Sequence, residues 1–230
     1  MRSFVVISLL VGAAAWVAPT PRRAATTKLN FLDQLLRGAP AAAAEAEAGE
    51  LFEILAESWR RNVAVDDVRA SSLVDSLASS KRSFDAASLG GGLWLSLYTR
   101  GPKPRWQSNG EFLGRFGVRN RAGQAYDPAA GAVRNYGELF GDLASFSAEG
   151  TFEVPKNAKT LPVDVSVSIS SGGLTVLGSR FELPISGPGL LRILYVDDRI
   201  RVFESPTDSP EKWEESGLVV VQVREDALAA

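Results

Sequence analysis

The chain has 230 residues, 45% of them hydrophobic, and a formal net charge of −2, a balance that suits a folded protein with a substantial core. It contains no cysteine and no histidine, which excludes disulfides, the common zinc sites, cysteine or histidine nucleophiles and the Ser-His-Asp triad. So small a net charge gives no general attraction for nucleic acid.

Residues 1–30 read as a targeting presequence. Arg2 gives a positive start, Phe4 to Val11 is an apolar run too short to cross a membrane, and Ala13-Ala14-Ala15 is a small-residue cleavage site. The tract from Trp16 to Lys28 is basic and hydroxyl-bearing, with no acid before Asp33. A signal peptide followed by transit-like composition resembles the bipartite presequences of algae with complex plastids, and plain secretion is the alternative. Removing this segment leaves 21 basic against 27 acidic residues, a poor balance for general binding to anionic surfaces. Residues 31–49, with the Ala-rich stretch Gly38–Gly49, are expected to form a disordered linker, helical at most in part.

From Glu50 the period is helical. Leu51, Phe52, Leu55 and Trp59 share one face, and Asp66 or Asp67 can cap a second helix bearing Ala70, Leu73, Val74 and Leu77 at i, i+3, i+4 and i+7. The spacing predicts a helical pair over about residues 50–80 whose apolar faces pack on a sheet rather than bind a partner.

After Gly90-Gly91-Gly92 the period becomes two. Phe146, Ala148, Gly150, Phe152 and Val154 alternate with polar neighbours, as do Val163, Val165, Val167 and Ile169. Strands are predicted at 93–99, 110–120, 123–127, 132–139, 145–154, 163–170, 174–183, 189–196, 199–204 and 217–224, with turn signals at Gly101-Pro102, Asp127-Pro128, Ser171-Gly172-Gly173 and Gly187-Pro188. The resulting expectation is one domain over 50–230, mainly β with N-terminal helices (α+β). Its core is an antiparallel β-barrel of about eight to ten strands over residues 93–225, a size that leaves room for one small ligand.

Gly92-Leu93-Trp94 resembles the lipocalin motif in which an indole closes the barrel bottom and a late-strand arginine lies across it, a resemblance that implies a lipocalin-like β-barrel. Arg224, with Arg201 second, is the candidate partner, through a cation–π contact of about 0.5–2 kcal/mol. The strand Leu93-Trp-Leu-Ser-Leu-Tyr-Thr99, the segment Tyr195-Val-Asp-Asp-Arg-Ile-Arg201 and the run Leu218-Val-Val-Val221 are similar to strands of the plastid lipid-associated proteins, or fibrillins. The turn that usually follows the second segment is replaced by Val202-Phe-Glu-Ser-Pro206. The resemblance implies a plastid protein that holds an apolar molecule, such as a carotenoid, prenylquinone or other lipid, in its barrel at a thylakoid or lipid-droplet surface, without cofactor or catalysis. Trp94, Tyr98, Trp106, Phe146, Phe152 and Tyr195 are then the candidate ligand-binding residues.

Other features carry two readings each. Asp197-Asp198 reads as a hairpin turn or rim ion pair with Arg199 or Arg201, since adjacent strand carboxylates point to opposite sides and suit a shared metal poorly. Lys103, Arg105 and Trp106 in a proline-stiffened loop fit either an interfacial membrane contact or a lid on the barrel. Tyr126 and Tyr136 flank a hairpin turn and are expected to pair across it. Glu138 is the one acid considered for the cavity, although a solvent-facing role is also open. The competing functions are an isomerase or cyclase using Glu138 with Tyr195, and a scaffold docking a photosynthetic complex through its helices.

Overall fold

The computed structural model describes residues 39–102, 121–141, 143–207 and 216–229. The presequence, the strand predicted at 110–120 and the segment with Lys103, Arg105 and Trp106 lie outside the described residues. Two helices, α1 (Ala39–Arg61) and α2 (Asp67–Ser79), precede a short 3-10 helix (Ala86–Leu89). The strands are β1 (Leu93–Arg100), β2 (Ala122–Asp127), β3 (Ala132–Glu138), β4 (Ala144–Glu153), β5 (Val163–Val176), β6 (Ser179–Leu183), β7 (Gly187–Val196), β8 (Ile200–Glu204) and β9 (Val219–Arg224), followed by one helical turn, α3 (Glu225–Leu228).

The Ala-rich stretch expected as a linker is the first half of α1 from residue 39 onward. Alanine has the best intrinsic helix propensity, and Ala44 and Ala48 extend the stripe of Leu51, Phe52 and Leu55 so that all five are buried. Asp66 caps α2, accepting a hydrogen bond from the Arg69 amide at 3.1 Å. The two helices are tied by Arg69 to Glu50 at 2.6 and 2.5 Å and by Ser76 to Glu47 at 2.7 Å.

The nine strands form one antiparallel sheet in the order β4-β3-β2-β1-β9-β8-β7-β5-β6, and a further β4–β5 pairing closes it into a barrel-like ring. Eight strands make the ring, while β6 pairs only with the far half of β5. Where the ring closes, β4 and β5 approach each other closely. β5 carries a bulge at Ser170, where the pairing steps from Glu149↔Ser171 to Gly150↔Ile169, and a Cβ on Gly150 would sit 1.9 Å from the Ser168 carbonyl oxygen. Ser171-Gly172-Gly173, predicted as a turn, lies inside β5, where a Cβ on Gly172 would meet the Ser147 carbonyl at 2.8 Å. The turn falls instead at Leu177-Gly178, both with positive φ, the two-residue hairpin geometry that matches strand twist.

The helical pair lies on the outer face of the β1-β9-β8-β7 wall. Its apolar stripe shares one cluster with Tyr98, Leu194, Tyr195, Ile200, Val202, Val219, Val221 and Val223. Inside the ring a second cluster draws side chains from all eight ring strands, among them Trp94, Tyr126, Val133, Phe152, Val165, Ile193, Phe203 and Val220. The β8–β9 wall is therefore buried on both faces, which explains its near-continuous apolar sequence.

Candidate functional site

One end of the ring is closed by the segment from Arg82 to Gly90. It is laced to the β4–β5 loop by the Phe84 amide to the Lys159 carbonyl at 2.9 Å and the Leu161 amide to the Arg82 carbonyl at 2.8 Å. Phe84 and Leu89 enter the inner cluster. Gly91 and Gly92, at φ +95° and +109°, turn the chain into β1 through a region open to glycine. Trp94 then points inward, fully buried, its indole N–H shared between the Leu89 and Gly90 carbonyls at 3.1 and 3.0 Å. The tryptophan is a plug held by its own entry segment.

Arg201 lies on this plug. Its guanidinium carbon is 5.1 Å from the Trp94 ring centre and 4.6 Å from that of Tyr126. The expected order of partners is thus reversed. Arg224 stands opposite Trp94 in the β1–β9 register, but its side chain folds over Gly91 and donates to Asp226 at 2.6 Å. Arg201 comes from an inward position of β8, directly opposite Gln222 of β9. Its Nε donates to Gln222 Oε1 at 2.9 Å, and its Nη2 donates to Gln222 Oε1 and, at 3.3 Å, to Gln124 Oε1. Gln222 in turn donates to Ser96 Oγ at 3.1 Å, and Gln124 to Asn135 Oδ1 at 3.0 Å. Ser96, Gln124, Asn135, Arg201 and Gln222 form a polar belt across β1, β2, β3, β8 and β9.

Two members of this site are incomplete. Among the described residues Arg201 Nη1 and the Tyr126 hydroxyl are buried with no hydrogen-bond partner, and no acidic side chain pairs with Arg201. Burial without a counter-charge pulls the guanidinium pKa down to about 10, which still leaves it charged near neutrality. Burial likewise pushes the Tyr126 phenol up. A buried cation normally has an ion partner, because leaving water costs several kcal/mol per ion. Two aromatic faces offset about 0.5–2 kcal/mol each, so this site is electrostatically unfinished. Around it the walls are apolar. Phe152 meets Tyr126 edge-on at 4.9 Å, and Phe146 gathers Ala122, Leu174, Leu183 and Ile185 into a third cluster, with Ile185 shared with the inner core.

The remaining predicted residues fall elsewhere. Trp94, Phe146 and Phe152 belong to these clusters, but Tyr98 and Tyr195 face outward beneath the helices. Tyr98 donates to Asp67 at 2.8 Å; Tyr195 accepts from Arg82 at 2.6 Å and donates to Asp197 at 3.0 Å. A bulge in each strand, at Ser96/Tyr98 and at Ile193/Tyr195, shifts the side-chain phase, which takes both tyrosines off the inward face shared by Trp94 and Ile193. Trp106 lies outside the described residues. Asp197 and exposed Asp198 form the β7–β8 turn, where Asp197 accepts from the amides of Arg199 and Ile200 at 2.7 and 2.8 Å. Neither expected ion partner reaches it: Arg199 lies over the Phe52 ring and Arg201 is inside.

Tyr126 and Tyr136 are not a cross-strand pair. Tyr126 faces Val133 and Tyr136 faces Gly123. Glu138 is neither in solvent nor free in a cavity. It is buried in a knot with Arg121 at 2.5 Å and the Tyr136 hydroxyl at 2.8 Å, and Arg121 also reaches Glu225 at 2.9 Å. Glu138 holds the Arg121 guanidinium well above its usual range, and burial raises Tyr136. Glu138 and Tyr195, proposed as a proton-handling pair, sit in separate networks. Gln124, Asn135 and Gln222 were not anticipated, although one signal existed: Gln222 interrupts Val219-Val-Val-Gln-Val223, a polar side chain in a strand too apolar to have a wet side.

Comparison with protein families, with curated proteins and with solved structures finds no match for this chain.

Proposed function

We propose that this protein binds an apolar small molecule, a prenyl or acyl lipid, inside its ring and does not transform it. The observation that carries the reading is the inner face itself: apolar side chains from all eight ring strands surround a small polar belt with two unused donors. Mostly apolar walls with a few oriented polar groups are what a lipid site needs. The separation of Glu138 from Tyr195, each engaged in its own network, supports binding over turnover. The burial of Leu73 and Leu77 against the sheet supports a structural role for the helical face over partner docking.

The same reading places the protein at a membrane or lipid-droplet surface within a plastid, as a divergent relative of the fibrillins. An exposed apolar group supports the surface contact. Phe140 and Leu143 of the β3–β4 loop and Leu177 and Phe181 of the β5–β6 hairpin are all more than half exposed, and the Leu177 amide donates to the Leu143 carbonyl at 2.8 Å. Two adjacent hairpins thus present apolar tips together, the arrangement of an interfacial anchor. The presequence composition supports the compartment.

Protein recovered from its own cells, examined by native mass spectrometry with extraction of bound material, should carry a lipid. An Ala148→Trp variant, which fills the interior at a fully buried inner position, should lose it. Recovery of unloaded protein, together with no quenching of tryptophan fluorescence by fatty acid, prenylquinone or carotenoid, would overturn the reading.

A further inference from the structure

We infer that the ligand is an acyl or prenyl chain ending in a carboxylate, bound by Arg201 Nη1 and the Tyr126 hydroxyl directly above the Trp94 plug. This rests on the proposed lipid-binding role and specifies its chemistry.

The inference starts from what Arg201 has already spent. Its Nε and Nη2 donate to amide oxygens of Gln222 and Gln124, so these two glutamines fix the plane of the guanidinium. Amide oxygens supply hydrogen bonds but no negative charge. Trp94 and Tyr126 occupy its faces, which leaves the Nη1 edge as the position for a counter-ion. Among the described residues that edge is buried and unpaired, as is the Tyr126 hydroxyl on whose ring the same guanidinium lies.

Both open groups are donors, so their complement is an acceptor. A water, an alcohol or a quinone carbonyl could take up a hydrogen bond but would leave a buried positive charge without a partner. A carboxylate does both, with one oxygen for the guanidinium and one for the phenol. A phosphate dianion calls for more positive charge, and Arg201 is the single charged residue in the polar belt. The carboxylate would lie at the closed end of the ring. A hydrocarbon tail would run from there along the inner wall of Phe152, Ala148 and Phe146.

The test uses the full, delipidated chain and two fluorescent probes of the same length, cis-parinaric acid and its methyl ester. A charge-assisted hydrogen bond lost from a buried site weakens binding by about tenfold or more, so the acid should bind at least that much more tightly. Arg201→Met should bring acid and ester to about equal affinity while the ester still binds. Tyr126→Phe, a milder change, should narrow the gap several-fold, and it keeps the test open if the first variant does not fold. Equal binding of acid and ester by the wild-type chain overturns the carboxylate but leaves the lipid-binding role standing. Tighter binding of dodecyl phosphate than of dodecanoic acid also overturns it. Binding of neither parinaric probe, nor of a prenylquinone, removes both proposals.

Discussion

If Trp94 closes the ring, its removal should be among the most damaging single changes in the protein. The indole is completely buried and touches both the entry segment and Arg201. Truncation of a buried aromatic to alanine costs about 3–5 kcal/mol. Here two carbonyls also lose their shared donor, a term of about 1 kcal/mol, and the Arg201 cation loses one of its two aromatic faces, about 0.5–2 kcal/mol. These terms overlap, so the expectation for Trp94→Ala is the upper part of the range, about 4–5 kcal/mol. Trp94→Phe keeps most of the buried ring surface but drops the N–H, and should cost about half as much. Urea unfolding followed by far-ultraviolet circular dichroism measures both, the midpoint shift being read at constant slope. A loss below about 1 kcal/mol for the alanine variant would refute the plug, and equal losses for the two variants would assign the whole effect to the hydrogen bond.

Three further outcomes follow from other parts of the molecule. All four tyrosines are raised above the ordinary phenol range by burial, Tyr98 to about 12. Absorbance at 295 nm should therefore show no tyrosine ionising near pH 10 in the native protein and all four doing so in urea. Because each folded value lies above the unfolded one, the stability these groups contribute is intact below about pH 10 and is lost as pH rises through the folded values. Gly123→Ala should destabilise by about 2 kcal/mol or more, since the new Cβ would fall 2.1 Å from the Trp94 carbonyl oxygen; thermal unfolding checks it. Ala48→Asp would bury an unpaired charge between α1 and the sheet and should cost about 3–5 kcal/mol, whereas a loss near zero would return residues 39–49 to the status of a linker.

The sequence exposed the architecture because its two periods are clean. Ala70, Leu73, Val74 and Leu77 could lie on one helix face only, and the alternation in Val163–Ile169 could belong only to a strand with unlike faces. Composition misled where one residue type serves two ends: alanine marks both low-complexity linkers and well-packed helices, and only the burial of Ala44 and Ala48 separates them. Phase was lost at the bulges, each of which moves every later side chain to the other face. Tyr98 and Tyr195 follow such bulges and face outward, while Trp94, before the bulge of β1, faces inward. The polar belt was hidden for a different reason. Glutamine, serine and asparagine in strands read as solvent-facing by default, and only closure of the ring turns those positions inward.

That closure gives the polar belt its meaning. Strands β8 and β9 have no wet side: Ile200, Val202, Val221 and Val223 face the helices while Arg201, Phe203, Val220 and Gln222 face the interior. In a sheet with one solvated face, an arginine and a glutamine at alternate positions would be unremarkable. In a wall covered on both sides each must be desolvated, and replacing them with apolar residues of similar volume would be neutral or stabilising by about 1–4 kcal/mol. A fold that needed only stability would place a leucine or methionine at 201. The observed guanidinium is held by two glutamines and lies against two aromatic rings, with its Nη1 edge unpaired among the described residues, an arrangement that a charged ligand arriving at that edge would use. Arg201→Met separates the two possibilities. In the ligand-free chain it should hold or raise the urea midpoint, and in the presence of a fatty acid it should forfeit the stabilisation that the wild-type chain gains by mass action, about 2.7 kcal/mol at a hundred times the dissociation constant. A variant that is destabilised without ligand and stabilised by fatty acid as strongly as the wild type would mean that Arg201 serves the plug and nothing else.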